Sequence, residues 1–326
     1  MNLGLAWSNL KQHGKAMGCH SKALAVFRKM HGEEHWLVAT ALDNYGSSWS
    51  MSHNPDKAVK YHTQALGIFK KIYGQDHYFT AASLKKLAMA YEKQGSSSLS
   101  IHLLTQAVEI FKRVYGEEHP DTAHALYSLG AAWHKIRNPQ KAIECTQQAL
   151  VIQRQACPVG DPHITNSLCQ LGEAWESLNH HDKAIACYEE IISIEKEKGA
   201  SLLLATALNN LAGIWYRLNY LDKAVELYVK TVIVQKKALG QEDPMVALTF
   251  AWLGRAWERL GHGATASEYY KPAYEMSLRL PDHGHGHPTT IAYFDALQKS
   301  RHNLSSSLPK GSRHIAVNVR ADCVVM

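Results

Sequence analysis

Apolar residues recur along this chain at helical spacing, as at Ala65, Leu66, Ile68, Phe69 and Ile72, with charged and polar residues between them. A longer period overlies the helical one. The words LGLAW, YGSSW, LAMAY, LGAAW, LGEAW, LAGIW and LGRAW end on Trp7, Trp49, Tyr91, Trp133, Trp175, Trp215 and Trp257. Successive anchors lie 42 residues apart, except for 40 between Trp175 and Trp215. A fixed period of this length predicts one supersecondary unit stacked many times, each unit burying its apolar face on the next. Such a stack favours binding over catalysis.

Each period reads as two antiparallel helices, the first carrying the anchor. The second is marked eight residues later by Lys15-Ala16, Lys57-Ala58, Lys141-Ala142, Lys183-Ala184 and Lys223-Ala224. Seven residues on, a small residue follows at Ala23, Ala65, Ala107, Ala149 and Ala273, replaced by Ile191 and Thr231 in two copies. Gly4, Gly46, Gly130, Gly172 and Gly254 share one register with Ala88 and Ala212, predicted to lie where the two helices cross. Glycine inside a helix costs roughly 1 kcal/mol relative to alanine. Its recurrence predicts a bulky neighbour, for which the anchor aromatic of the same or the next unit is the expected candidate. The anchors are therefore expected in the core. Second helices are predicted to stop at Gly32, Gly74, Gly116 and Gly240 in a left-handed cap. First helices are predicted to open at Pro120, Pro162, Pro244 and Pro288, with Asp161 and Asp243 as N-caps.

The L-G-x-x-[WY] word, the alanine nine residues past the aromatic and the small residue seven further on resemble the tetratricopeptide repeat motif. That repeat usually has a shorter period and a proline near the end of its second helix, which is absent here. The longer period and the YGEEHPDTA linker are similar to the repeats of kinesin light chains and nephrocystin-like proteins. The resemblance spans residues 1–301 and leaves 302–326 as a flexible tail. It implies an all-α fold, a right-handed α-α superhelix (a tetratricopeptide solenoid) of about seven helix-turn-helix units. It also implies a non-enzymatic scaffold or adaptor that binds peptide segments along the concave surface of its first helices.

Composition changes this picture little. The 326 residues are 46% hydrophobic, enough for a large core. The net charge of +6 is spread along the chain, which argues weakly for acidic partners and gives no basis for nucleic acid. No signal peptide opens the chain, no apolar run is long enough for a membrane span, and the six cysteines form no CxxC pair. A reduced, cytoplasmic compartment is the resulting expectation. Met1 falls inside a first helix, so that unit is expected to lack its opening turn. Leu297 aligns with the leucine of the anchor word, but no further unit follows it. The short period between Trp175 and Trp215 predicts a tighter turn around Gly199, whereas PDHGHGHP at 281–288 is two residues longer than its counterparts.

The candidate binding residues come from the first helices. Two positions after the anchor stand Asn9, Met51, Lys93, Lys135, Ser177, Arg217 and Arg259; six before it stand Asp43, Lys85, Tyr127, Cys169, Asn209 and Ala251. Lys85, Lys93, Lys135, Asn209, Arg217, Arg255 and Arg259 are expected to form a basic, amide-containing strip suited to an extended acidic peptide. The resemblance to kinesin light chains implies the same ligand class. The competing reading is a solvated helical face, because Glu92, Glu176 and Glu258 lie beside the bases.

Other features have simpler readings. Cys19, Cys145 and Cys187 all fall twelve residues after an anchor and are expected as small buried side chains. His283, His285 and His287 alternate as metal ligands can, but His287 continues the linker series His35, His77 and His119, so no metal site is expected. The last residues, Cys323-Val324-Val325-Met326, fit a prenylation motif, and farnesylation at Cys323 would add a weak membrane tether. No phosphate-binding loop, dinucleotide fingerprint, nucleophile elbow or zinc-protease motif occurs, so neither a cofactor nor a catalytic site is expected. The carboxylates and histidines are placed on solvent faces or in linkers. A base-reading RNA code would need recurring residues at fixed positions, and the row from Asp43 to Ala251 offers none.

Overall fold

A computed structural model describes residues 2–10, 12–280 and 287–306, and among these it contains fifteen α-helices and no strand. The helices pair in chain order. First helices are α1 (Asn2–Asn9), α3 (Trp36–Met51), α5 (Tyr78–Gln94), α7 (Pro120–Lys135), α9 (Pro162–Ser177), α11 (Leu202–Arg217) and α13 (Pro244–Arg259). Second helices are α2 (His13–His31), α4 (Pro55–Tyr73), α6 (Ser97–Tyr115), α8 (Pro139–Ala156), α10 (His181–Lys196), α12 (Leu221–Leu239) and α14 (Gly263–Arg279). A last helix, α15 (Pro288–Ser306), reaches five residues past the expected end of the array. Second helices begin two residues before the Lys-Ala pair, because Asn54-Pro55 and Asn138-Pro139 supply cap and first position.

The chain divides into two units, Met1–Gly199 and Ala200–Met326. In the first, α1 to α10 pack each on its neighbours in sequence, and first helices also touch first helices: α3 with α5, α5 with α7, α7 with α9. In the second, α11 to α15 pack in the same serial way. The division falls in the short period, at Gly199, whose φ is +94°.

The glycine register is confirmed as a crossing point, but its neighbour is not the anchor. The residue packed on it comes from the second helix, sixteen positions later: His20 on Gly4, His62 on Gly46, Thr146 on Gly130, Tyr188 on Gly172 and Tyr270 on Gly254. A Cβ at Gly172 would stand 2.7 Å from the Tyr188 ring, and one at Gly254 would stand 2.6 Å from that of Tyr270. Tyr188, Tyr228 and Tyr270 are consequently among the largest fully buried side chains. The anchor tryptophans are only half-buried. Each of Trp7, Trp49, Trp133, Trp175 and Trp215 is roofed by the lysine of the Lys-Ala pair that follows it, with Nζ 3.9 Å from the ring centroid at Trp49 and 4.1–4.4 Å at the others. The alanine of each pair is fully buried beneath.

The linkers also differ from expectation in one detail. Gly32, Gly74, Gly116 and Gly240 have φ between +77° and +102°, but their ψ lies near 180°. This is not the left-handed helical cap but the extended positive-φ region, open essentially to glycine alone. The chain leaves the second helix straight and enters the next first helix through a capping residue. Asp161 and Asp243 cap as expected, accepting the N–H of His163 and of Met245 at 2.8 Å. At His35, His77 and His119 the imidazole takes that role, its Nδ1 accepting an N–H two residues on at 3.2 Å. Each ring stacks on the ring four residues before it, His31, Tyr73 and Tyr115, at 4.3–4.4 Å. His287 caps α15 in the same way, while His283, His285 and Cys323 lie outside the described residues.

Candidate functional site

The first helices bury one side against their second helices and leave another open, and the open side is where ligand-facing chemistry has to lie. The expected strip sorts into two groups there.

The first group is engaged within the chain. Lys93 Nζ donates to the carbonyl of Ser50 at 3.1 Å, and Lys135 Nζ donates to that of Glu92 at 3.1 Å, with the Glu92 carboxylate at 3.4 Å. Arg259 donates to the carbonyl of Tyr216 at 3.0 Å and to Asn219 Oδ1 at 2.7 Å, its guanidinium lying over the Tyr216 ring. Each carbonyl belongs to the residue just after the preceding unit's anchor, in the last turn of a first helix. Carbonyls there lack intrahelical donors and carry the negative end of the helix dipole. A base two positions after the anchor therefore struts one unit to the next.

The second group consists of Lys85, Asn209, Arg217 and Arg255. Lys85 is half-buried on α5, and among the described residues no hydrogen bond or ion pair holds its ammonium. Burial pushes its pKa down, partly offset by Asp121. Near it lie His124 on α7 and His163 on α9, their ring centroids 4.4 Å apart. Met89 on α5 is exposed, and Tyr127 on α7 is half-buried. In the other unit, Arg255 on α13 is exposed with its guanidinium 4.8 Å from the centre of the Trp252 ring, which meets Tyr216 edge-on. Leu248 and Met245 are exposed beside them on α13, and Asn209 is half-buried on α11. Arg217 is exposed at the C-terminal end of α11.

Not every carboxylate and histidine lies on a solvent face or in a linker. Asp43 on α3 is buried, with His62 Nδ1 at 2.6 Å from one oxygen and Lys86 Nζ at 2.7 Å from the other. Burial pushes the Asp43 carboxyl up, but the His62 hydrogen bond and the Lys86 charge outweigh it and hold it below the ordinary range. The three residues tie α3, α4 and α5 together, with one partner on each oxygen of the Asp43 carboxylate. One unit earlier, His20 sits in the same register with Nδ1 2.9 Å from Ser48 Oγ, and burial lowers its pKa.

The cysteines hold the shared register but are half-buried rather than enclosed. Burial raises the thiols of Cys145 and Cys187 to about 11, and that of Cys169 to about 12. Such thiols are poor nucleophiles. Among the described residues no group of three metal-ligating side chains converges, and no helix is long and apolar enough to cross a membrane.

His124, His163, Trp252, Met89 and Leu248 were not among the expected site residues. A positional signal existed for three of them: His124 and Leu248 stand nine positions before an anchor, and Met89 two before, in the row of Arg255; His163 and Trp252 fall in neither row.

Comparison with known proteins gives the same architecture. Family models described as tetratricopeptide repeat match residues 1–71, 50–113, 80–155, 165–198 and 204–244. No curated protein matches the chain. Among solved structures, the nearly identical TPR-like repeats of kinesin light chain type from Podosopora anserina align at 22% identity and TM-score 0.53, over 61% of this chain and 95% of theirs. A Q17M form of the same repeats gives a TM-score of 0.56. The apo form of RapI aligns at 15% identity and TM-score 0.60, over 82% of this chain and 99% of its own. At these identities the likeness is one of fold.

Proposed function

We propose that this chain, which belongs to the tetratricopeptide repeat family, is an interaction scaffold that holds acidic peptide segments on the open faces of its first helices. The observation that carries the reading is the division of the basic residues. Lys93, Lys135 and Arg259 are engaged by backbone carbonyls, whereas Lys85 and Arg255 have no carboxylate paired to them among the described residues. Apolar side chains beside them, Met89 in one unit and Leu248 in the other, supply area that excludes water around a charged contact. A carboxylate arriving there gains a charge-assisted hydrogen bond without displacing an internal one.

The reading is tested by titrating a fluorescent glutamate-rich octapeptide into the full chain at low ionic strength. Lys85→Glu combined with Arg255→Glu abolishes binding with an unchanged melting temperature. Equal affinity in wild type and double variant refutes the assignment. Added salt weakens binding, as a screened charge contact requires.

A further inference from the structure

Two imidazoles stand side by side on the open face of the first unit, and the groups around them are of mixed sign. His124 and His163 come from neighbouring first helices, their rings 4.4 Å apart and tilted by 48°. Neither ring has a hydrogen-bond partner among the described residues. The charged groups facing the pair are Lys85 from α5, Asp121 from α7 and Asp161 from the linker into α9. Asp161 is engaged at the α9 cap, and Asp121 lies 3.7 Å from His119 Nδ1. Lys86, beside Lys85, is committed to Asp43. What remains is the Lys85 ammonium, near enough to act on the charge of His124, beside the two paired imidazoles.

The His124 ring is held toward its neutral form. Burial, then His163 and Lys85, lower the His124 pKa, against the opposing pull of Asp121 and Asp161. Two imidazolium rings this close to each other and to an ammonium repel strongly in a partly desolvated site. An oxyanion placed among the three removes that penalty, because it pairs with Lys85 and with a protonated ring at once. Anion binding and proton uptake then favour each other by linkage.

We propose that Lys85, His124 and His163 form a proton-linked carboxylate subsite, at which an acidic side chain of a bound peptide docks together with uptake of a proton. This rests on the acidic-peptide reading above and deepens it. It assigns one peptide carboxylate to a defined place in the first unit and makes occupancy tighten as pH falls. Glutamate side chains stay ionised through neutral and mildly acidic pH, so the titrating groups are the rings and not the ligand. Guanidinium groups do not titrate in this range, so arginine contacts elsewhere contribute no such dependence.

The test uses the same glutamate-rich octapeptide and the full chain, at constant ionic strength, with affinity measured at about pH 6 and about pH 8. Uptake of one proton predicts roughly tenfold tighter binding at the lower pH. Calorimetry in two buffers of different ionisation enthalpy reads the proton directly. His124→Gln with His163→Gln flattens the profile to within about twofold while retaining binding through the other bases. Lys85→Met weakens binding most at the lower pH. Melting curves of each variant at both pH values separate binding from unfolding. Wild-type binding with a profile unchanged in the double histidine variant overturns the subsite and leaves the scaffold reading intact. No binding by the wild type at either pH overturns both.

Discussion

Two crossings of the same register, one in each unit, are filled by opposite chemistry. In the N-terminal unit, the second-helix residue above Gly46 is His62, and it leads into a buried ionic link through Asp43 to Lys86. In the C-terminal unit, the residue above Gly254 is Tyr270, its hydroxyl donating to Glu258 at 3.0 Å, and Tyr228 holds the matching place over Ala212. The Gly46 crossing is specified by buried charge, which is costly to break. The Gly254 crossing fills the same space with an aromatic ring, as Tyr188 does over Gly172 in the N-terminal unit, and a ring is costly to crowd. The backbone frame is shared, so the repeat constrains shape and leaves the means of filling it free.

The largest expected effect comes from cutting the charged link. Asp43→Ala strands the buried His62 and releases the partly exposed Lys86, and breaking a buried pair from one side costs about 3–5 kcal/mol. Chemical denaturation followed by a probe in the N-terminal unit reads it, and a loss below about 1 kcal/mol would show that the pair contributes little. The same carboxylate sets an acid limit. Its folded pKa is depressed, so its contribution is present above the ordinary carboxylate range and is lost as pH falls through the folded value. Stability of the first unit therefore declines with acid below about pH 4, and the Asp43→Ala variant shows a shallower decline there.

Crowding the aromatic version is the next test. Gly254→Ala drives a methyl group against the Tyr270 ring, and overpacking of this kind costs about 1–3 kcal/mol, more than the helix propensity regained. Gly254→Ala combined with Tyr270→Leu recovers most of the loss, because Leu104 already fills this register over Ala88. A double variant no more stable than the single one would break the steric account.

Smaller effects separate the joints. His119→Ala removes a cap and a ring stack and lowers stability by about 1 kcal/mol, whereas His119→Asp retains most of it, since Asp243 performs the same bond elsewhere. Equal melting temperatures for the two variants would mean that capping is not what the histidine provides. Smallest is Lys135→Ala, whose partly exposed strut is worth less than about 1 kcal/mol. It lowers the melting temperature slightly and leaves octapeptide affinity within about twofold, the opposite ranking to Lys85→Met.

Much of this was legible in the residues alone. The anchor period located the helix pairs, the prolines and Asp161 and Asp243 marked helix starts, and the recurring glycines marked a close crossing. Such features depend on the chain within a few turns, where backbone geometry and capping chemistry act locally. The candidate strip was legible only in part. Lys93 and Lys85 look alike as letters, yet one meets a carbonyl 43 residues back and the other meets none among the described residues.

The sequence by itself determined a stack of paired helices with a crossing every period and bases along the first helices. Tertiary structure alone decided which side chain fills the glycine gap, that lysines roof the tryptophans, and which bases remain open to a ligand. The physical reason is distance along the chain. Local bonds are dictated by neighbours in sequence, whereas contacts 16 or 43 residues apart depend on the angle and offset at which one helix settles on another.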